Sequence, residues 1–231
     1  MFQNTDIEDI YIVIPAKDEE RFIAEVITSI LDQGFKKIVI VNDNSTDTTK
    51  EIIQSFEEDI VILDHTINLG AGAATQTGIE YAVSRGAEVI ATLDADTQHN
   101  PADLIPMIKI MESKKMDLII GSRFLKKNDI PITRLFFNLV GNIVNYFITG
   151  LVVTDSQSGM KVMSRRFAKD LSITYNGFEF CIEIIKNAKI KKSNVYEFPI
   201  DVKYTKETMD KGQNIFTGFG MIGRFLNPFK S

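Results

Sequence analysis

Short apolar, β-branched runs alternate with longer helical patterns through the first half of the chain. The runs Ile10–Ile14, Lys37–Val41, Ile60–Leu63, Val89–Leu93 and Asp117–Ile120 predict strands, and the stretches near 19–33, 46–57, 72–85 and 101–114 predict helices between them. Strands such as Ile38–Val41 are continuously apolar instead of alternating, as expected where helices cover both faces of a parallel sheet. Right-handed crossovers then give an α/β fold with a doubly wound, mostly parallel sheet flanked by helices. Helix punctuation agrees: Ser45 or Thr46 is placed to cap the second helix, and Asn100 precedes Pro101 at a helix start.

Beyond Arg123 the pattern changes. A polar loop, Lys126 to Asp129, leads into the 20-residue uncharged segment Leu135–Thr154, followed by Gly159–Met163, a helix near 177–189, a strand near 195–204 and a last stretch from Gly212. There is no internal repeat, low-complexity tract or linker. We therefore expect one domain over residues 1–231, with a ligand-binding half (1–123) and a second half (124–231) built onto it.

With 44% apolar and 25% charged residues over 231 positions, the composition is that of a globular protein and excludes disordered, collagen-like and multi-span membrane classes. Cys181 is the only cysteine and His65 and His99 the only histidines, which rules out an internal disulfide and a structural zinc site. The acidic start lacks the basic and apolar regions of a secretory signal, so a cytoplasmic protein is expected. The net charge of −5 divides unevenly: residues 1–115 carry 9 Lys+Arg and 21 Asp+Glu, residues 116–231 carry 17 and 10. An acidic half can hold a cation, and a basic half can meet phosphate or an anionic membrane. No nucleic-acid partner is expected, and the oligomeric state is left open.

Ligands of open α/β sheets bind beyond the carboxyl ends of the strands. The predicted strands end in Pro15–Glu20, Asn42–Ser45, Asp94–Gln98 and Gly121–Arg123, so three acidic clusters and an arginine converge on one edge. Asp94 and Asp96, with Gln98 two residues on, suit a hard divalent cation such as Mg2+ or Mn2+ that keeps positions open for a diphosphate. Alone, an Asp-x-Asp pair is equally an ordinary surface turn. Asp43 can accept from the N–H edge of a base, or complement a helix dipole beside Asp47. The glycines of residues 68–78 form neither a P-loop nor a dinucleotide fingerprint; close packing and a ligand role stay open for them. Asp155 reads as a general base, a hydrogen-bond partner of an acceptor, or a helix-ending loop residue, and His99 as a loop histidine without a catalytic role.

In order along the chain, IPAKDEE (14–20), VNDNSTDTT (41–49), NLGAGAATQTG (68–78), LDADTQHNP (93–101), GSR (121–123) and DSQSGMKVM (155–163) resemble the family 2 glycosyltransferases with the GT-A fold, in particular the polyprenyl-phosphate glycosyltransferases such as the dolichyl-phosphate mannose synthases. The resemblance implies nucleotide-sugar binding by Pro15, Ala16, Lys17, Glu19, Val41 and Asp43, a metal and diphosphate site at Asp94, Ala95, Asp96 and Gln98, and a phosphate-binding Arg123. Two departures stand out. Asn42 replaces the first acid of an Asp-Asp pair, and the basic residues near the C-terminus differ, leaving Lys203, Lys206 and Lys211 as substitutes toward the acceptor.

The implied activity is inverting, metal-dependent transfer of a sugar from a UDP- or GDP-sugar to a polyprenyl (dolichyl or undecaprenyl) phosphate. Asp94, Asp96, Arg123 and Asp155 form the catalytic set, with Asp155 orienting instead of deprotonating. Transfer to a sugar hydroxyl, which needs a base, and nucleotidyl transfer are the competing readings. Within Leu135–Leu151, Asn138, Asn142, Asn145 and Thr149 fall on one helical stripe of an otherwise apolar segment. Together with the apolar stretch Ile215–Leu226 this predicts a peripheral platform on the cytoplasmic face of a membrane; a core helix is the alternative.

Overall fold

The computed structural model describes residues 6–177 and 179–203. Seven strands form one sheet: β1 (Tyr11–Ala16), β2 (Lys37–Asn42), β3 (Ile60–Asp64), β4 (Val89–Thr92), β5 (Leu118–Ser122), β6 (Lys161–Ser164) and β7 (Val195–Pro199). Seven helices accompany them: α1 (Ile23–Leu31), α2 (Thr49–Gln54), α3 (Ala71–Ser84), α4 (Leu104–Lys114), α5 (Ile132–Thr149), α6 (Arg165–Ala168) and α7 (Phe180–Ile190).

The strand order is β3-β2-β1-β4-β6-β5-β7. All neighbours run parallel except β6, which is antiparallel to both β4 and β5. The predicted mostly parallel sheet is therefore present, with one reversed strand wedged between two parallel ones. That reversal positions the site. Lys161, the first residue of β6, pairs with Thr92 and Ile120 near the carboxyl ends of β4 and β5, so the loop leading into β6 arrives at the same edge as the loops leaving β4 and β5.

Helices cover both faces, which explains the continuously apolar strands. Ile12, Ile14, Ile38 and Ile40 pack with Ile27, Met107 and Met111 of α1 and α4 on one face. Val13, Val39 and Val41 pack with Ala74, Ile79 and Ile184 of α3 and α7 on the other. The predicted helix near 19–33 starts only at Ile23. The expected cap at Ser45 or Thr46 is corrected: α2 begins at Thr49, whose backbone N–H donates to Asp47 Oδ1 at 2.9 Å. Asn100 does cap its turn, accepting from Ala102 N at 3.1 Å, although that turn is 3₁₀ before α4 begins.

Helix α5 inverts the usual amphipathic arrangement. Its polar stripe faces inward: Asn138 and Asn142 both donate to the Thr154 carbonyl, at 3.1 and 2.7 Å, and Asn145 to that of Leu151 at 2.9 Å. Its opposite stripe, including Ile132, Phe136, Leu139, Ile143, Tyr146 and Phe147, is exposed. The core-helix alternative accounts for the asparagines and fails for this outer face. Among the described residues no helix is long and apolar enough to cross a membrane. Ile215–Leu226 lies outside the described residues.

Candidate active site

The loops after β1 and β2 are zipped together. Asp18 Oδ1 accepts from Thr46 N at 2.7 Å, the Asp18 N–H donates to Ser45 Oγ, that of Glu19 to Thr49 Oγ1 at 2.7 Å, and Lys17 Nζ reaches the Asn44 carbonyl at 3.2 Å. Pro15–Glu19 and Asn42–Ser45 thus form one wall. The backbone hydrogen bond from Thr46 holds the Asp18 carboxyl below its ordinary range. Asn42, the departure noted above, is buried and structural: it donates to Asp64 at 2.7 Å and accepts from Ser45 N at 3.1 Å. Val41 and Ala95 are buried in the core, so their side chains offer a ligand no surface.

Asp43, part of this wall, has its carboxylate heavily engaged. Oδ1 accepts from His65 Nδ1 at 2.7 Å and Leu69 N at 2.8 Å, and Oδ2 from Gly70 N at 2.6 Å. The glycines of residues 68–78 are placed by close packing: Gly70 adopts φ +93°, and a Cβ there would strike the Asn176 backbone.

The loop after β4 carries the exposed chemistry. Asp94 keeps 37% of its side chain open, yet it sits in a recess lined by protein. Desolvation raises its pKa, while the charges of Lys161 and Arg123 pull it down and that of Asp155 pushes it up. Burial also raises Asp96, reinforced by the Asp94 charge and opposed by His99. Gly159 leaves space for the Asp94 carboxylate, because a Cβ at that position would displace it. His99, buried in the same loop, has both ring nitrogens without a hydrogen-bond partner, and its Nδ1 lies 3.6 Å from Asp94 Oδ2. Burial depresses its pKa to about 4, so it is neutral near pH 7.

These residues fit a divalent cation of the Mg2+ or Mn2+ type. Two desolvated carboxylates, one of them raised further by the charge of the other, gain from a positive charge between them. Among the described residues no three His, Cys, Asp or Glu side chains are gathered as a ligand set. Two carboxylates and the Gln98 amide therefore suit an ion completed by water and substrate phosphate, not an all-protein cage.

Across the edge, Asp155 is fully buried and clamps Arg123. Arg123 Nε and Nη2 donate to its two oxygens at 2.6 and 2.7 Å, and the Arg123 N–H adds a third bond at 3.1 Å. Glu197 of β7 fixes the same loop by accepting from Thr154 N, Thr154 Oγ1 and Asp155 N, at 2.8, 2.8 and 3.2 Å.

Glu197, Lys161 and Arg134 carry no role in the sequence motifs. The signal for Glu197 is an acid in the middle of an otherwise apolar strand. Lys161 is fully buried, with Nζ donating to the Ser158 carbonyl, and its charge favours ionised Asp94. Arg134, in the first turn of α5, reaches Asp96 electrostatically and lowers its pKa. Lys203 is exposed, and its N–H pairs with the Gln98 carbonyl at 3.0 Å; Lys206 and Lys211 lie outside the described residues.

A helix-flanked sheet with a reversed strand, bearing paired carboxylates and an arginine clamp at its carboxyl edge, defines a nucleotide-sugar-type transferase fold. The family model for glycosyl transferase family 2 matches residues 11–172, and the chain belongs to that family. It is a glycosyltransferase that takes sugar from a nucleotide-sugar donor. It is 32% identical over 94% of its length to a UDP-N-acetylglucosamine–dolichyl-phosphate N-acetylglucosaminyltransferase of Methanococcus voltae, covering 94% of that protein. It is 28% identical over 71% of its length to a polyprenol monophosphomannose synthase of Mycolicibacterium smegmatis, covering 65% of that protein. The fold matches glucosyl-3-phosphoglycerate synthase of Mycobacterium tuberculosis, crystallised with Mn2+, UDP and phosphoglyceric acid, with a TM-score of 0.69 at 15% identity, over 94% of this chain and 77% of that one.

Proposed function

We propose that this protein transfers a sugar, with inversion, from a nucleoside diphosphate sugar to a polyprenyl phosphate at a membrane surface. The observation that carries the choice of acceptor is the state of Asp155. A sugar hydroxyl needs a base to take its proton, and Asp155, the acid best placed by sequence for that task, is buried with both oxygens held by Arg123. A phosphate monoester is already ionised near neutral pH. One of its oxygens attacks the anomeric carbon as the bond from that carbon to the diphosphate oxygen breaks, and the nucleoside diphosphate leaves with the electron pair.

In this reading Asp94, Asp96 and Gln98 hold a divalent cation, which when bound neutralises charge on the leaving diphosphate. Asp155 and Glu197 keep Arg123 oriented toward phosphate. The names of the Methanococcus and Mycolicibacterium relatives support a lipid phosphate acceptor. So does the exposed apolar face of α5, whose inner side grips Thr154 next to Asp155. We assign that face to the lipid surface, with the protein peripheral.

The test is incubation with UDP- and GDP-sugars, Mn2+ and polyprenyl phosphate in vesicles. Release of nucleoside diphosphate together with a glycosyl phosphate lipid is expected. Transfer only to a sugar hydroxyl, or release of pyrophosphate, overturns the proposal. Replacing Phe136 and Phe147 by Ser should reduce vesicle binding and transfer to long-chain acceptors while leaving short soluble acceptors unaffected.

A further inference from the structure

Thr77, His65 and Asp43 form a relay that the proposed transfer does not itself require. His65 is nearly buried, with Nδ1 at 2.7 Å from Asp43 Oδ1 and Nε2 at 3.0 Å from Thr77 Oγ1. An ionised carboxylate only accepts, so Nδ1 carries the proton. In the neutral ring Nε2 is then an acceptor, and the Thr77 hydroxyl donates to it. The tautomer is fixed from both sides.

A carboxylate has about four acceptor positions, two on each oxygen. On Asp43, Oδ1 is filled by His65 Nδ1 and Leu69 N, while Oδ2 takes only Gly70 N. One position remains, on Oδ2, and only 3% of the side chain is exposed, so at most a single edge contact can reach it. Nucleobases differ in what they present to such an acceptor. The guanine edge offers adjacent N1–H and N2–H donors that match both oxygens of a free carboxylate. The uracil edge offers one N3–H between two carbonyl oxygens, which a second available carboxylate oxygen would repel.

We infer that His65, held by Thr77, is a positioning residue that fills Oδ1 of Asp43 and so makes this site select a base with a single imide N–H, uracil over guanine. The inference rests on the reading of the chain as a nucleotide-sugar enzyme with Asp43 facing the base. His65 acts through Asp43 and touches neither sugar nor acceptor, so its loss belongs in the donor KM and not in kcat.

Calorimetry with UDP and with GDP, each in Mg2+, tests it on the whole chain. Wild type should bind UDP about tenfold or more tightly than GDP, the scale on which a mismatched buried polar group discriminates. His65→Leu should weaken UDP about tenfold and bring the two nucleotides close together. His65→Asn should restore the preference, because its amide N–H occupies the place of Nδ1. His65→Gln should not, because its amide reaches the place of Nε2. Thr77→Val, a near-isosteric change, should narrow the ratio by a few-fold and serves as the probe should His65→Leu fail to fold. Equal behaviour of the Asn and Gln variants, an unchanged ratio in Thr77→Val, or a wild type preferring GDP overturns the inference and leaves the proposed transfer standing. A wild type that binds neither nucleotide removes the nucleotide-sugar reading itself.

Discussion

Asp94 and Asp96 after β4, and Asp155 before β6, are carboxylates brought to one sheet edge, and they differ in how their charge is met. The first two are held in a desolvated recess where burial raises both pKa values and the Asp94 charge raises that of Asp96 further; Lys161 and Arg123 offset this at Asp94, and at Asp96 the offset comes from Arg134 and one backbone N–H, that of Gln98. Asp155 is more deeply buried, yet it takes three hydrogen bonds from Arg123 alone. The difference separates chemistry from support. A carboxylate left short of positive charge is prepared for an incoming cation, whereas one whose charge is already matched fixes the position of its partner.

The largest effect should come from the first pair. Asp94→Asn or Asp96→Asn should lower kcat by about a hundredfold or more, roughly 3 kcal/mol of barrier, with the fold intact by circular dichroism. Activity within a few-fold of wild type in metal-replete buffer would erase the distinction between the clusters.

For the second cluster the expected cost is in stability as well as rate. Asp155→Ala removes the buried carboxylate that takes three hydrogen bonds from Arg123, and urea unfolding should show a loss of about 3 kcal/mol. Asp155→Asn keeps one acceptor and should fold, with a raised acceptor KM and an unshifted pH profile. Loss of an ionisation from that profile would make Asp155 a base and break the comparison.

The pH dependence of stability sharpens it further. The folded pKa of Asp96 lies above its unfolded value, so this residue's contribution to stability is full below about pH 4 and is lost as pH rises through the folded pKa. In EDTA the Tm of wild type should therefore fall relative to that of Asp96→Asn between about pH 4 and pH 7, and saturating Mn2+ should close the gap. Parallel profiles in EDTA would show that the recess carries no electrostatic strain. The smallest effect belongs to Glu197→Gln, which keeps one acceptor for the Thr154 loop and should cost a few-fold in kcat/KM.

Much of the first half was legible from residue pattern. Continuous apolar runs mark buried parallel strands, and the acidic residues that follow them had to collect at the carboxyl edge. The second half was less so. The reversal of β6 has no local signature, since Lys161–Ser164 reads the same in either direction, and it alone carries Asp155 to Arg123. Likewise the spacing of Asn138, Asn142 and Asn145 gave the stripe on α5, while which side faces the protein depended on carbonyls at Leu151 and Thr154 that only the folded chain supplies. Asp43 could be placed just after β2 from the strand pattern, but its bonds to His65, Leu69 and Gly70 depend on a loop geometry that sequence does not encode visibly.

The wedge of β6 between β4 and β5 also sets a timetable for synthesis. Strands β1 to β4 can pair as they emerge, but β5 finds neither of its neighbours until β6 and then β7 have left the ribosome. At about 5–20 residues per second, the roughly forty residues between β5 and β6 take seconds to appear. Throughout that interval the apolar strand Leu118–Ser122 and one side of β4 remain open edges, the segments most prone to pair with another chain. The nascent protein thus exposes most strand edge while the apolar helix α5 is being made.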